Sequence, residues 1–167
     1  MRLEKLHSFI SRLKSLDRTG WTRHNIPDHE TVASHSYSVA LLSMVCSDEL
    51  GLDCEKCMRL ALVHDLAESV VGDMTPHEIS SDEKHRLEKK AIFEIAKEVG
   101  SPKLMQLWEE YESGKSEEAK LVKELDKLDM VLQAKEYQAG GKDLSEFFAA
   151  KKKIRGSLLD LAGVDTK

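Results

Sequence analysis

The residues best suited to chemistry in this sequence are ionisable side chains in apolar surroundings. His64 and Asp65 directly follow the run Leu-Ala-Leu-Val at residues 60–63. An unpaired charge buried on so apolar a helix would cost several kcal/mol, so both side chains need a compensating partner. A divalent cation would be one, because imidazole and carboxylate groups are ordinary ligands of Mn, Co, Fe or Zn.

Two other segments of the sequence contain candidate ligands of the same types. His35 continues an apolar stripe at helical spacing and is therefore predicted to point into the core. Asp126 lies at the edge of a similar stripe, beside Leu125. Three helices would thus each contribute to one point inside a bundle, which is the usual construction of metal sites in helical proteins.

Each candidate also has a structural explanation when it is taken alone. A single inward histidine is more often a hydrogen-bonded core residue, and Asp126 could form a surface ion pair with Lys123 or Lys127. The adjacent pair His64 and Asp65 fits either view about equally well. All four residues together are much harder to explain as coincidence, and they favour a metal site.

Signals along the chain predict an all-α fold of about six to seven helices in one domain. Apolar residues recur at helical spacing almost throughout, and the glycines and prolines fall between the periodic stretches. The predicted helices cover residues 3–16, 32–50, 54–68, 81–99, 101–111, 116–138 and 144–161. The run at 60–63 is apolar on nearly all sides, which predicts a helix buried in the middle of the bundle. The connector 17–31 is long and rich in Arg, His and Trp, as functional loops often are.

Capping residues mark the ends of the two helices that contribute the histidines. Thr31 or Ser34 is expected to cap the start of the second helix, and Gly51 to end it. Asp53 is a good N-cap for the third helix, which is expected to continue through His64 toward residue 68.

Composition limits the class of protein. With 167 residues, of which 41% are hydrophobic, the chain can build one hydrophobic core. The formal net charge of -5 disfavours DNA or RNA as partners, because polyanion binding depends on cationic neutralisation, whereas a small phosphorylated ligand needs only a local positive site. No apolar run approaches the roughly 20 residues that span a bilayer, and the N-terminus begins an amphipathic pattern, so a soluble protein without a membrane partner is expected.

The cysteines favour a reducing compartment. Cys46, Cys54 and Cys57 form an odd set with no secretory signal ahead of them, so a cytoplasmic location is expected and a disulfide framework is not. The spacing Cys54-x-x-Cys57 also occurs in zinc and redox sites, but one such pair inside a helix is more often structural.

The order of the four candidate ligands resembles the H...HD...D signature of the HD-domain phosphohydrolase superfamily. Further segments resemble the 5'-deoxynucleotidase family within it: residues 11–14, 17–21, 32–36, 62–68, 72–73 and 122–126. Members of that family remove phosphate from deoxyribonucleoside 5'-monophosphates. The resemblance, which covers about residues 3–138, implies a single HD domain over residues 1–167. Its metal-binding core would lie at about 32–138, with residues 3–31 completing the site and a C-terminal helix at 144–161.

The resemblance also implies a metal site and a reaction. The ligands would be His35, His64, Asp65 and Asp126, and they would hold one divalent ion per chain: Mn, Co, or another transition metal such as Fe, Ni, Cu or Zn. Two imidazoles and two carboxylates leave open positions for water and substrate. A bound ion would lower the pKa of its water and polarise the phosphoryl group, so hydrolysis would need no covalent enzyme intermediate.

Two more acids are implied to act in catalysis. Glu68 follows His64 by four residues, so it is predicted to project from the same helical face and to orient or deprotonate the nucleophilic water. Asp73, after Gly72, matches a second acidic position of the family and could donate a proton or anchor water. The spacing leaves open which acid has which role, and the alternatives are a surface acid for Glu68 and a turn residue for Asp73.

The connector contains the implied substrate contacts. Arg18 resembles the phosphate-contacting arginine of the family, and its planar fork suits a phosphate monoester. Trp21 is the candidate for selecting the deoxyribose, although Thr19 and Gly20 separate it from Arg18, whereas in some members the tryptophan directly follows the arginine.

Similarity to the family suggests a homodimer, with the C-terminal or the fourth predicted helix as the interface. Two other functions fit the same residues. One is an HD-type phosphodiesterase or pyrophosphohydrolase acting on another nucleotide. The other is a helical interaction protein that has lost catalysis, but such a protein would be expected to lack a ligand or Glu68, and none is missing here.

Overall fold

Helices make up the regular secondary structure of residues 1–165, the part of the chain that the computed structural model describes. In chain order they are α1 (Leu3–Leu13), α2 (Thr19–Arg23), α3 (Val32–Leu50), α4 (Cys54–Val63), α5 (Glu68–Val71), α6 (Ser81–Val99), α7 (Pro102–Ser113), α8 (Glu117–Gln138), a 3-10 helix (Ser145–Lys153) and α9 (Gly156–Leu161). The prediction of an all-α fold is confirmed. The described residues form more helices than the predicted six to seven, because short helices interrupt stretches that were predicted as loop or as one helix.

The centre of the bundle is formed by α3, α4 and α8, which pack on one another. Each contributes fully buried apolar side chains to the same core: Val39 from α3, Leu60 from α4 and Leu125 from α8. Burying such side chains is the main stabilising contribution to a fold of this size. The three helices that carry or directly precede the candidate ligands are therefore also the helices at the centre of the core.

The ends of α3 and α4 follow from local chemistry. Thr31 caps α3, where its hydroxyl oxygen accepts a hydrogen bond from the backbone N–H of Ser34. Gly51 ends α3 in the left-handed conformation, with a φ of 66°, which costs glycine little. Asp53 caps α4 by accepting from the backbone N–H of Lys56. These capping predictions are confirmed.

The predicted continuous helix through residue 68 is wrong. Helix α4 ends at Val63, and hydrogen-bonded turns separate it from α5, which begins at Glu68. The carbonyl of Ala61, which would accept from residue 65 in a continuing helix, instead lies 2.6 Å from Nδ1 of His64. Glu68 is therefore placed by a turn and a new helix, not by the face of α4.

One side chain of the apolar run also departs from prediction. Leu62 is 57% exposed, whereas Leu60 and Ala61 are fully buried. Helix α4 therefore packs in the middle of the bundle, as predicted, but with one side toward solvent.

The first and last predicted helices are shorter in the structure. Helix α1 ends at Leu13 instead of residue 16, and residues 144–161 form a 3-10 helix and α9 in place of one α-helix. The break between these two elements lies at Arg155, whose backbone N–H and guanidinium both donate to the carboxylate of Glu124 in α8. This long-range contact competes with helical hydrogen bonding, and no local pattern signals it.

The connector 17–31 is tied to the bundle at both ends. Asp17 and Thr31 form an isolated antiparallel bridge, and the backbone N–H of Val32 donates to the carbonyl of Leu16 at 2.9 Å. Helix α2 lies between these ends. Across residues 1–165, no helix combines the length and apolarity needed to cross a membrane.

Candidate metal centre

Four side chains from separate parts of the bundle converge on one point. They are His35 from α3, His64 and Asp65 from the turn after α4, and Asp126 from α8. Nε2 of His35 lies 3.2 Å from Oδ1 of Asp126 and 3.8 Å from Oδ2 of Asp65. Nε2 of His64 lies 3.1 Å from the same Oδ2 of Asp65. We call these four residues the metal centre.

The two imidazoles are oriented by hydrogen bonds on their far sides. Nδ1 of His35 lies 2.7 Å from Oδ2 of Asp129, and Nδ1 of His64 lies 2.6 Å from the carbonyl oxygen of Ala61. Because a carbonyl oxygen can only accept, Nδ1 of His64 carries a proton, and Nε2 is the ring nitrogen that faces the carboxylates. This is the arrangement of histidines that bind metals.

The same two Nε2 atoms are buried and have no hydrogen bond of acceptable geometry. Such orphaned polar atoms are rare in a folded protein and call for a partner. Ligand atoms of His35, His64 and Asp126 all lie within 4.8 Å of one another, which is the spacing expected around one ion. A divalent cation therefore fits these three residues. Asp65 lies close to both imidazoles but is not part of that group of three.

Both carboxylates of the metal centre are held ionised. Burial acts to raise the pKa of Asp65, but the charges of His64 and His35 outweigh it and hold that pKa below its usual range. Burial likewise opposes ionisation of Asp126, and the adjacent His35 holds its pKa below the usual value. Both carboxylates are thus available as anionic ligand groups.

Glu68 lies beside the metal centre, in the lining of a cavity that also includes His64, Asp65 and Asp126. Only 2% of it is exposed, which is not the environment of a surface acid. Burial, reinforced by the negative charges of Asp65 and Asp73, raises the pKa of Glu68 well above its usual value. Its Oε1 lies 3.4 Å from Nζ of Lys84, while Oε2 is buried without a hydrogen-bond partner. A carboxylate with one oxygen held and the other free is suited to accept a proton from water.

Asp73 connects two loops at the cavity. Its Oδ2 accepts from the backbone N–H of Thr19 at 2.6 Å, and the Thr19 hydroxyl donates to the Asp73 carbonyl, also at 2.6 Å. Thr19 is the first residue of α2, so this pair of bonds places Arg18 over the metal centre. Nη1 of Arg18 lies 3.4 Å from Oδ2 of Asp65. The proposed proton-donor role of Asp73 stays a prediction.

Trp21 lies deeper in the wall of the cavity. It is 1% exposed, and its indole N–H donates to Oε1 of Glu30 at 2.9 Å. Its ring packs against Phe147 of the 3-10 helix and, edge to face, against Tyr137 of α8. The polar atom of this side chain is thus already satisfied, so contact with a sugar would have to be made through the ring. That role stays a prediction.

The cavity has a volume of about 470 Å³, in the range of small-molecule sites. Its lining combines charged groups with apolar groups. The charged groups include Arg18, His64, Asp65, Glu68 and Asp126, and the apolar ones include Trp21, Met130 and Phe147. A ligand with an anionic end and a flat, weakly polar end matches this lining.

Comparison with known proteins places these features in a family. The family model described as HD domain matches residues 10–159. This chain belongs to the HD domain family. The predicted membership in the superfamily is confirmed.

Two relatives can be aligned with this HD domain over most of its length. It is 42% identical over 161 residues to 5'-deoxynucleotidase hdd1 of Schizosaccharomyces pombe, a match that covers 90% of this chain and 81% of the relative. It is 46% identical over 133 residues to 5'-deoxynucleotidase HDDC2 of Mus musculus, covering 77% of this chain and 66% of the relative. The alignment thus spans slightly less than two thirds of the mouse protein.

A solved structure has the same fold. The crystal structure of the PH0347 protein from Pyrococcus horikoshii OT3 is 34% identical, with a TM-score of 0.82. The match covers 96% of this HD domain and 94% of the archaeal chain.

Several residues that contact the metal centre of this HD domain were not predicted from the sequence. Asp129 holds His35 and also accepts a short hydrogen bond from Ser38. The Tyr111 hydroxyl donates to Oδ2 of Asp126 at 3.3 Å. Asp129 had a signal, because it follows Asp126 by three residues and so shares its helical face. Tyr111 had no such signal in the sequence, because it lies on α7 and reaches Asp126 of α8 only when the two helices pack together.

Proposed function

We propose that this protein is a metal-dependent 5'-deoxynucleotidase that hydrolyses deoxyribonucleoside 5'-monophosphates to deoxyribonucleosides and phosphate. The observation that carries the proposal is the pair of buried, unpartnered Nε2 atoms of His35 and His64, beside two carboxylates that line a cavity. The relatives named 5'-deoxynucleotidase support the substrate class. The mixed charged and apolar lining of the cavity supports a nucleotide over a purely anionic ligand.

His35, His64, Asp65 and Asp126 would hold one divalent ion, with Mn, Co, Fe, Ni, Cu and Zn all compatible with these donors. When bound, the ion would supply Lewis-acid activation of water and of the phosphoryl group. Asp129 and the carbonyl of Ala61 would keep the two imidazoles in the orientation and tautomer that ligation needs.

Other side chains would handle the proton and the substrate. Glu68 would accept the proton of the attacking water at its free Oε2, and Asp73 is the candidate to donate one to the leaving oxygen or to anchor water. Arg18 would bind the phosphate, because its guanidinium lines the cavity beside Asp65 and has donors left over from that single contact. Trp21 would form part of the wall against the deoxyribose.

Phosphate release from dAMP, dTMP, dCMP and their ribose counterparts tests the proposal. The protein is first treated with a chelator and then assayed with and without added Mn or Co. We expect release from the deoxy substrates that depends on added metal and exceeds release from the ribose forms. Activity confined to phosphodiesters, triphosphates or cyclic nucleotides would instead support the alternative of another HD-type hydrolase, and no activity with any nucleotide would support a non-catalytic interaction protein.

The proposal extends to organisation and location. The HD domain would comprise residues 1–167, with its metal-binding core at 32–138, and would act in the cytoplasm on small nucleotides, not on nucleic acid polymers or membranes. Three free cysteines without a disulfide support a reducing compartment. A homodimer through α6 or the C-terminal segment is supported by Phe93 of α6, whose aromatic ring is 54% exposed. Sedimentation of the wild type against Phe93→Glu tests this interface, with a dimer expected to dissociate only in the variant.

A further inference from the structure

Lys84 contacts the cavity from the first turns of α6. Its Nζ lies 3.0 Å from the carbonyl oxygen of Met74, 3.4 Å from Oε1 of Glu68 and 3.4 Å from Oε1 of Glu88. These three acceptors belong to three different elements: the segment between α5 and α6, α5 itself, and the next turn of α6. Two of these contacts are hydrogen bonds, to Met74 and Glu68, and the third is an ion pair with Glu88.

The contact with Glu68 is the one that bears on chemistry. The other charged groups near Glu68 include Asp65 and Asp73, which repel its carboxylate. Lys84 lies within salt-bridge distance of it. Its Nζ contacts Oε1, while Oε2 is buried without a hydrogen-bond partner.

We propose that Lys84 is a positioning residue for Glu68, which holds the Glu68 carboxylate in the orientation that accepts a proton from water. This inference rests on the proposed hydrolysis and on the role of Glu68 in it. Lys84 acts through Glu68 and does not touch the substrate. Glu88 acts one step further out, because its carboxylate, which is largely buried, holds Lys84 in place.

A direct role of Lys84 in binding phosphate is the competing explanation, since Lys84 also lines the cavity. Two observations disfavour it. Lys84 already has three acceptors around its Nζ, whereas Arg18 contacts Asp65 through Nη1, at 3.4 Å, which leaves other guanidinium donors for a ligand. The acceptors of Lys84 also include two carboxylates, which would have to be left unpaired, at a high desolvation cost, if Lys84 moved to a substrate.

Substitution of Lys84 by Met tests the proposal, because Met keeps the length of the side chain and removes its charge and donors. We expect kcat to fall about 10- to 100-fold, a part of the effect of a general base, with KM changed less than about threefold. Metal content and melting temperature should stay near those of the wild type. Lys84→Arg, which retains a cation, should recover most of kcat. Lys89→Met is the matched control, since Lys89 lies on α6 but pairs with Glu109 away from the cavity.

A double-mutant cycle with Glu68→Gln separates the two explanations. If Lys84 acts through Glu68, Lys84→Met should cause little further loss of single-turnover rate once Glu68 is Gln. Losses that multiply, or a rise in KM larger than the fall in kcat, would overturn the proposal and assign Lys84 to the substrate. Unchanged kcat in Lys84→Met, or a parallel loss of metal and melting temperature, would also overturn it.

The cycle is measured on whichever phosphate mono- or diester the metal-loaded wild type hydrolyses fastest. If deoxynucleotides are not hydrolysed but a diester such as bis(p-nitrophenyl) phosphate is, the proposed function fails while the test of Lys84 proceeds. If no phosphate ester is hydrolysed, both proposals are overturned.

Discussion

The metal centre and the wall of the cavity above it are built by different kinds of structure. The metal centre lies on and beside α3, α4 and α8, the helices that form the middle of the core. The part of the cavity wall that we call the connector wall consists of Arg18, Trp21 and Asp73. Arg18 and Trp21 belong to the connector 17–31, and Asp73 to the segment after α5. The packed core helices hold the first region, whereas the second is held by hydrogen bonds between loops, such as that from Thr19 to Asp73, and by the packing of Trp21 against Phe147 and Tyr137.

This difference predicts that binding of the proposed ion and binding of the proposed substrate are separable in this fold. In the metal centre, each imidazole has one nitrogen tied to the core and the other aimed at the carboxylates. Arg18 in the connector wall is held to the core by a single contact at 3.4 Å. Substitutions in the metal centre should therefore remove metal, and substitutions in the connector wall should weaken substrate binding with metal retained.

The largest effect is expected from removing a ligand of the metal centre. Asp65→Ala or His64→Ala should abolish both metal content and phosphate release, because the three remaining donors cannot hold the ion in this geometry. Metal analysis of the purified variants, together with a phosphate assay, measures this. His7→Ala is the control, since His7 lies on α1, where its side chain contacts Ser11. Full activity in either ligand variant would refute the site.

Glu68→Gln should have the next largest effect. It removes the base without removing a ligand, so kcat should fall about 10²- to 10⁴-fold while metal content stays at the wild-type level. Steady-state kinetics and metal analysis on one preparation measure both quantities. Loss of metal in this variant would mean that Glu68 is itself a ligand.

Asp129→Asn should weaken metal binding without abolishing it. The amide keeps the shape of the side chain but loses the charge that orients His35, so metal affinity should fall about 10- to 100-fold, as is typical of such outer partners. Titration of the metal-free protein with Mn or Co measures the affinity. An unchanged affinity would show that core packing alone orients His35.

The smallest effect is expected in the connector wall. Arg18→Ala should raise KM about 10-fold, the lower end of what a lost charge-assisted hydrogen bond costs, with metal content unchanged. Kinetics with a deoxynucleoside monophosphate measure the change, and Arg59→Ala on the solvent side of α4 is the control. If Arg18→Ala loses metal, the two regions are not separable.

Much of the fold could be predicted because it depends on local patterns. Helix α3 begins and ends where its capping residues and Gly51 predict, and α8 follows its apolar stripe. The predicted continuation of α4 was wrong for an equally local but less visible reason, the bond between His64 and its own preceding turn. The break at Arg155 could not be predicted, because it depends on Glu124, 31 residues away.

What the sequence by itself determined is the chemistry of the metal centre: two imidazoles and two carboxylates, each on or next to a strongly apolar helical stretch. Helical periodicity indicates which side of a helix faces inward, so it predicts that such residues turn toward the core. Only the tertiary structure decided how they are held. The contact of His35 with Asp129 joins residues 94 positions apart, and that of Glu68 with Lys84 joins α5 to α6. Such pairs exist because the packed core brings their helices together, and the spacing of residues along one helix carries no information about them.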